Sequence, residues 1–236
     1  MGSEPSPAEG GGIAPHPLAI ATTLRVARSS HPLPVGEGYD GDMSETPTVL
    51  TLGHSNHAWP EFLALLQAKE VGCIVDVRSM PASRRYPQFN RDAFERALGD
   101  AGIGYRFLGD RLGGRPKDSV CYAGGAVDYA RVAATSAFRE GLDELATLAR
   151  SMRCCLLCAE RDPLDCHRAI LVARHLAPKG FSISHIHGDG RIETQGEFEK
   201  RLIDADEAPL LADVEDGRAL LQLAYNRRGR RIAFRA

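Results

Sequence analysis

"RCCLLCAERDPLDCHRAILVARHLA", residues 153–177, decides the fold. Its first part, Arg153 to Ala159, is a short apolar run that reads as a strand buried on both faces. Its second part opens with Asp162 and Pro163, a helix N-cap followed by a residue preset for the first helical position. Asp165, three residues after Asp162, has the spacing of a capping box. Residues 162–177 therefore read as one helix. A buried strand that feeds directly into a helix is the repeating unit of a parallel sheet covered by helices. The join between the two carries the densest chemistry of the chain: two cysteines, a histidine, two arginines and three carboxylates between Cys158 and Arg168.

The same alternation runs outward in both directions. "TVLTLG" (48–53), "GCIVDVR" (72–78), "IGYRFLG" (103–109) and "FSISHIH" (181–187) read as further strands. "WPEFLALLQAKE" (59–70), "RDAFERALGDAG" (91–102) and "FREGLDELATLARS" (138–151) read as helices, the last with Leu142, Leu145, Leu148 and Ala149 on one side. "SMPASRRYPQFN" (79–90) reads as a basic, aromatic loop and "DRLGGRPKDSVCYAGGAV" (110–127) as a long Gly-rich one. A short helical piece over 196–203, an acidic linker, a helix over 217–225 and the basic end "NRRGRRIAFRA" complete the chain. This pattern predicts an α/β fold: a single Rossmann-like three-layer domain over residues 47–204 with a mostly parallel sheet. Residues 1–46, rich in Gly, Pro and Ser, read as a flexible N-terminal tail, with Met43 as an alternative start. Residues 205–236 read as the acidic linker, helix and basic C-terminal segment.

Composition sets limits. The chain has 236 residues, 43% hydrophobic and 25% charged, with a formal net charge of -2, so it is not a polycation built for nucleic acid. Four of the six cysteines crowd between Cys154 and Cys166, which suits a reducing compartment better than a disulfide scaffold. No apolar run approaches a membrane span, and no leader is visible, so the expectation is a cytoplasmic protein.

Ligands of open parallel sheets bind beyond the carboxyl ends of the strands. Those ends here carry His54 and Ser55, Asp76 and Arg78, Arg111, Gly113, Gly114 and Arg115, Cys158 and Glu160, and His185 and His187. A functional cleft is expected there. Asp76, Glu160, Cys166, His54 and His167 are the candidate catalytic residues. Asp162 and Asp165 are explained by capping. A thiol in the first turn of a helix has a depressed pKa, so Cys166 is a candidate nucleophile. Ser55, Arg78, Arg84, Gly113, Gly114, Arg115 and Arg168 are candidates for holding substrate phosphate. Cys158, Cys166 and His167 are the candidate ligands for a divalent metal, although the spacing matches no familiar zinc finger or ribbon. Cys166 and His167, being neighbours on a helix, would point about 100° apart. Cys73, Cys154 and Cys155 lie in strands and read as core residues.

Four stretches in order, "TLGHS", "VDVRSMPASRRYPQFN", "AGIGYRFLGDRLGG" and "LLCAERDPLDCHRAILVARHL", resemble the bacterial and archaeal family called domain of unknown function 488, from about Thr48 to Ile203. The resemblance implies a compact α/β fold and brings no settled activity. Its motif positions are Gly53, His54, Ser55, Asp76, Arg78, Pro81, Ser83, Arg84, Gly113, Gly114, Cys158, Glu160, Cys166, His167 and Arg168. A weaker likeness links "IVDVR" and the later cysteine loop to rhodanese-type sulfurtransferases, but the longer loop makes sulfur transfer an analogy only. The expectation is an enzyme that acts on a phosphate-bearing substrate, a nucleotide or nucleic acid, by hydrolysis or group transfer. The alternative is a nucleic-acid-binding or redox-sensing module without catalysis.

Overall fold

Five parallel strands form the body of a six-stranded sheet in the computed structural model, which describes residues 46–206 and 216–236. Nearly all of the expected tail, the Met43 start and most of the acidic linker lie outside the described residues. In chain order the elements are β1 (Thr48–Gly53), α1 (Trp59–Ala68), β2 (Cys73–Asp76), α2 (Arg91–Asp100), β3 (Gly104–Phe107), α3 (Gly109–Leu112), β4 (Tyr122–Ala123), β5 (Ala126–Val127), α4 (Tyr129–Ala133) and α5 (Ser136–Ser151). They continue with β6 (Cys154–Cys158), a 3-10 turn (Pro163–Asp165), a π-helical segment (Arg168–Ala173) running into α6 (Arg174–Leu176), β7 (Ser182–Ile186), β8 (Ile192–Thr194), α7 (Gln195–Ala205) and α8 (Gly217–Ile232).

The sheet order is β3-β2-β6-β1-β7-β8, with β8 antiparallel at the edge. β6 lies between β1 and β2, with Gly53 level with Cys158 and Asp76 level with Leu157. The carboxyl ends of these three central strands therefore meet at one place, where chain connections diverge and a crevice opens.

Strand alternation sorts the core into two layers. Leu50, Leu52, Ile74, Cys155 and Leu157 pack with Phe62 and Leu66 of α1 and Phe94 and Leu98 of α2. Val49, Val75, Cys154 and Leu156 face the other way, onto Leu142 and Leu145 of α5 and onto Leu171 and Val172. The result is the expected three-layer α/β arrangement. A third cluster joins Leu164 and Ile170 to Phe198 and Leu202 of α7 and Ala224 and Tyr225 of α8.

Several expectations are corrected. The Gly-rich loop contains α3 and a β4–β5 hairpin, turned by Gly124 and Gly125 at φ 56 and 76. Paired left-handed residues are what a tight hairpin demands, so this Gly-Gly was a readable signal. The last helix does not stop near Tyr225: it runs to Ile232, with Arg228 buried and paired to Asp206 and Asp165. The basic end is thus part of the fold.

The largest correction falls on residues 162–177, which are not one helix. Asp162 caps only the 3-10 turn, accepting from the Leu164 N–H at 2.8 Å. Asp165 sends its carboxylate to Arg228 at 3.4 Å. Cys166 is extended, at φ -134 and ψ 134, and its carbonyl accepts from the Ala169 and Ile170 N–H groups. Its Sγ also accepts from the Arg168 N–H at 3.4 Å. Cys166 therefore stands at the start of the second helical segment, where N–H groups lack intrahelical partners.

Candidate functional site

The end of β1 has to be glycine. A Cβ on Gly53 would lie 1.8 Å from the Glu160 carbonyl oxygen, because the chain leaving β6 crosses directly over it. Backbone bonds tie that crossing down: the His54 and Ser55 N–H groups donate to the Cys158 and Ala159 carbonyls at 2.9 and 3.0 Å. Arg168 secures it from below. Fully buried, it donates through Nη1 to the Glu160 carbonyl at 2.7 Å and through Nη2 to the Arg161 carbonyl at 3.1 Å. Two loop carbonyls thus receive a charged partner.

The far side of Arg168 is buried too. Its Nε lies 3.4 Å from Thr51 Oγ1, which is 2.9 Å from His185 Nδ1. His185 Nε2 is 3.2 Å from Gln195 Oε1, and Gln195 Nε2 reaches Tyr225 Oη at 2.7 Å and Glu199 at 3.0 Å. The pattern fixes the histidine tautomer. The Gln195 oxygen can only accept, so Nε2 carries the hydrogen and Nδ1 accepts from Thr51. Burial, with the Arg168 charge nearby, holds the His185 pKa down to about 3.

Above this base lies a cleft of about 710 Å³. At its floor Cys158, Glu160 and His167 meet Cys166, which lies just beneath. Cys158 Sγ is 2.9 Å from Glu160 Oε2 and 3.6 Å from His167 Nδ1, and Cys166 Sγ is 3.3 Å from the same carboxylate oxygen. His167 Nε2 lies 2.9 Å from the Val77 carbonyl, an acceptor, so that nitrogen donates and Nδ1 faces the thiols. Burial pushes the Cys158 thiol well up, and its contact with Cys166 adds to this. Burial opposes ionisation of Cys166 as well, but the Cys158 hydrogen bond, the Arg168 charge and His167 outweigh it and bring that thiol well below its usual range. Burial lowers the His167 pKa, and the Cys166 contact more than reverses it, so the ring is held protonated more readily than a free histidine. The extended Cys166 is what allows its thiol and the neighbouring imidazole to serve one cluster, against the divergence expected on a helix.

The walls carry charge. Arg78, Arg85, Arg115 and Arg161 line the cleft, against Glu160 and Asp165 as its carboxylates. Asp165 is already engaged with Arg228. Arg115 stacks over Phe234 at 4.6 Å and Arg85 over Tyr86 at 5.5 Å, which hold two cations on aromatic faces. Tyr129, Ile232 and Phe234 close one side.

The sequence candidates divide accordingly. His54, Ser55, Arg78, Gly114, Arg115, Glu160 and His167 line the cleft together with Cys158. Cys166 lies just beneath, and Arg168 beneath that. Gly114 backs the His167 ring so closely that a Cβ there would fall 2.9 Å from it. Gly113 packs instead on Gly109 and Ser79. Arg84 is exposed and away from the cleft, where its neighbour Arg85 enters. Arg111 pairs with Glu144. Asp76 is wholly buried, clamped by Arg78 Nε at 2.9 Å and Nη2 at 2.6 Å, and by Tyr105 Oη at 2.8 Å. It positions Arg78 and does not line the cleft. His54 stacks on Phe89 at 4.5 Å, and burial with the Arg78 charge lowers its pKa to about 4. Ser55 takes φ 46, a strained value for a residue with a Cβ. Reading the sequence marked the loop around Arg85 as basic and aromatic but chose Arg84 from it, and it missed Arg161, Tyr129, Phe234 and Ile232. The last two had a weak signal, apolar residues within a basic run.

Residues 58–175 match the family model described as Domain of unknown function DUF488. No curated protein and no solved structure matches the chain. No helix among the described residues is long and apolar enough to cross a membrane.

Proposed function

The chain belongs to the DUF488 family, whose name specifies no chemistry, and from the site itself we propose an enzyme that hydrolyses or transfers a group on a phosphate-bearing substrate. The observation that carries this reading is the meeting of Cys158, Cys166, Glu160 and His167 on a cleft floor walled by four arginines. The arginines supply the anion-binding half. Arg78 is held rigid by Asp76, and Arg85, Arg115 and Arg161 are exposed cations at the rim. A cleft walled mostly by one sign of charge draws in the opposite sign. A volume of about 710 Å³ suits a nucleotide-sized ligand.

The floor supplies the reactive half. Glu160 is the cleft carboxylate in reach of both thiols, and it is exposed to a bound ligand. It is the proton-transferring group in this reading. The thiol–imidazole cluster beside it forms the reactive centre. The anchored β6 loop keeps these groups in place before substrate arrives, as efficient catalysis requires.

The test uses the full chain, Glu160→Gln and Arg115→Ala against a panel of nucleotides and phosphate mono- and diesters. Glu160→Gln is expected to abolish turnover while leaving ligand affinity intact. Arg115→Ala is expected to weaken binding and flatten its salt dependence. Salt-sensitive binding without turnover of any panel member would replace the enzyme with a binding module. No binding at all would reject the phosphate reading.

A further inference from the structure

We infer that Cys158, Cys166 and His167 form a tetrahedral zinc site with its fourth position open to the cleft. Three observations lead there. The donor atoms of these residues all lie within 4.8 Å of one another. With Zn–S near 2.3 Å and Zn–N near 2.0 Å, ligand–ligand edges of a tetrahedron come to roughly 3.5–3.8 Å. The Cys158 Sγ to His167 Nδ1 separation of 3.6 Å is such an edge already.

The imidazole is also oriented as a metal ligand is. Its Nε2 donates to the Val77 carbonyl at 2.9 Å, which fixes the ring and leaves Nδ1 directed at the sulfurs. A ligating histidine almost always gives its other N–H to such an outer acceptor. Gly114, packed against the ring, prevents it from swinging away.

The third observation is the way the two thiols are brought together. Cys158 ends a strand and Cys166 sits on an extended break between two helical turns. A continuous helix through Cys166 would have been simpler to form. The break turns both sulfurs toward one Glu160 oxygen, at 2.9 and 3.3 Å. That oxygen belongs to Glu160, the exposed member of the cluster. Two thiolates and one imidazole select zinc over magnesium or calcium, and three protein ligands with an open position are the arrangement of catalytic zinc. A substrate phosphate oxygen or water would take that position. The inference goes beyond the proposed activity and does not depend on it, since metal binding is read without turnover.

The experiment is zinc binding to the full-length chain, reduced and first stripped with chelator. Elemental analysis is expected to find one zinc per chain after reloading and desalting. X-ray absorption at the zinc edge is expected to show two sulfurs, with nitrogen and oxygen filling the remaining positions. Cys158→Ser and Cys166→Ser should each lose stoichiometric zinc, while Cys121→Ala, buried far from the cluster in sequence, should keep it. The absorption measurement uses the unaltered chain, so it decides the question even if a cysteine variant fails to fold. No stoichiometric zinc, a site of four sulfurs or of none, or zinc retained in both folded cysteine variants would overturn the assignment.

Discussion

Acidification will destabilise this domain through His185, by an amount that can be worked out beforehand. His185 is fully buried and neutral, with Nδ1 accepting from Thr51 and Nε2 donating to Gln195. A second ring proton would face Thr51 Oγ1, which already lies within reach of the Arg168 guanidinium. Its folded pKa is therefore about 3, against 6.5 in the unfolded chain. Between those values the unfolded state binds more protons, so stability rises with pH. The contribution is intact above pH 6.5 and drains away as pH falls toward 3. At about 1.4 kcal/mol per pH unit, the loss between pH 8 and pH 5 is about 2 kcal/mol. For a domain of this size that lowers Tm by about 4–8 °C. His54 adds a loss of the same sign, with its pKa held near 4. The assay must isolate His185, so urea unfolding of the wild type and of His185→Gln is compared from pH 8 to pH 5. The variant is expected to be less stable at pH 8 but to lose about 2 kcal/mol less on acidification, because His54 and the carboxylates contribute equally to both. Coincident pH slopes would refute the argument: His185 would then accept its proton inside the folded network.

Further substitutions test other parts of the framework. Gly53→Ala drives a Cβ into the Glu160 carbonyl, and moving that backbone should cost about 3 kcal/mol or more, read as a fall in Tm of about 6–12 °C. Asp76→Ala leaves Arg78 buried without its partner, and a loss of about 3–5 kcal/mol in chemical denaturation is expected, with weaker anion binding in what still folds. Arg228→Ala removes the cation that joins α8 to Asp206 and Asp165, so amide exchange in α8 should accelerate well before exchange in β1 or β6 does.

Most of the fold could be read from residues because its central strands, β1, β2 and β6, are short, mostly apolar and buried on both faces. Thr48–Gly53 has the expected limits, and β6 differs by one residue at each end. Local signals of this kind need no knowledge of neighbours. The strand order has no such signal: nothing in "CCLLC" says that it inserts between β1 and β2. The break at Cys166 was hidden for a related reason. Asp162-Pro163 is a sound helix start, and apolar residues follow at helical spacing. The opposing factor is tertiary: Arg168 and the sulfurs satisfy the loop, and only the folded sheet shows that the chain must cross Gly53 to reach them. Arg84 and Arg85 illustrate the same limit on a smaller scale, since adjacent loop arginines are equivalent until one of them is turned into a cleft.

Arg168 links the two halves of the site in a way that neither half implies. A buried cation is costly unless every donor has a partner. Toward the cleft its donors hold the Glu160 and Arg161 carbonyls, which sets the height of the carboxylate above the thiols. Away from the cleft it meets Thr51, and through His185 and Gln195 the bonding continues to Tyr225 of α8. The same helix carries Ile232 and leads to Phe234, both in the cleft wall, and Phe234 is the face on which Arg115 rests. Floor and wall are therefore fixed by one polar chain through the interior. An apolar residue in place of Arg168 could fill the space, but it would leave two carbonyls of the β6 loop without donors and Thr51 without its charged neighbour. The arginine at this position is explained by what it holds, the two loop carbonyls on one side and the Thr51–His185 network on the other.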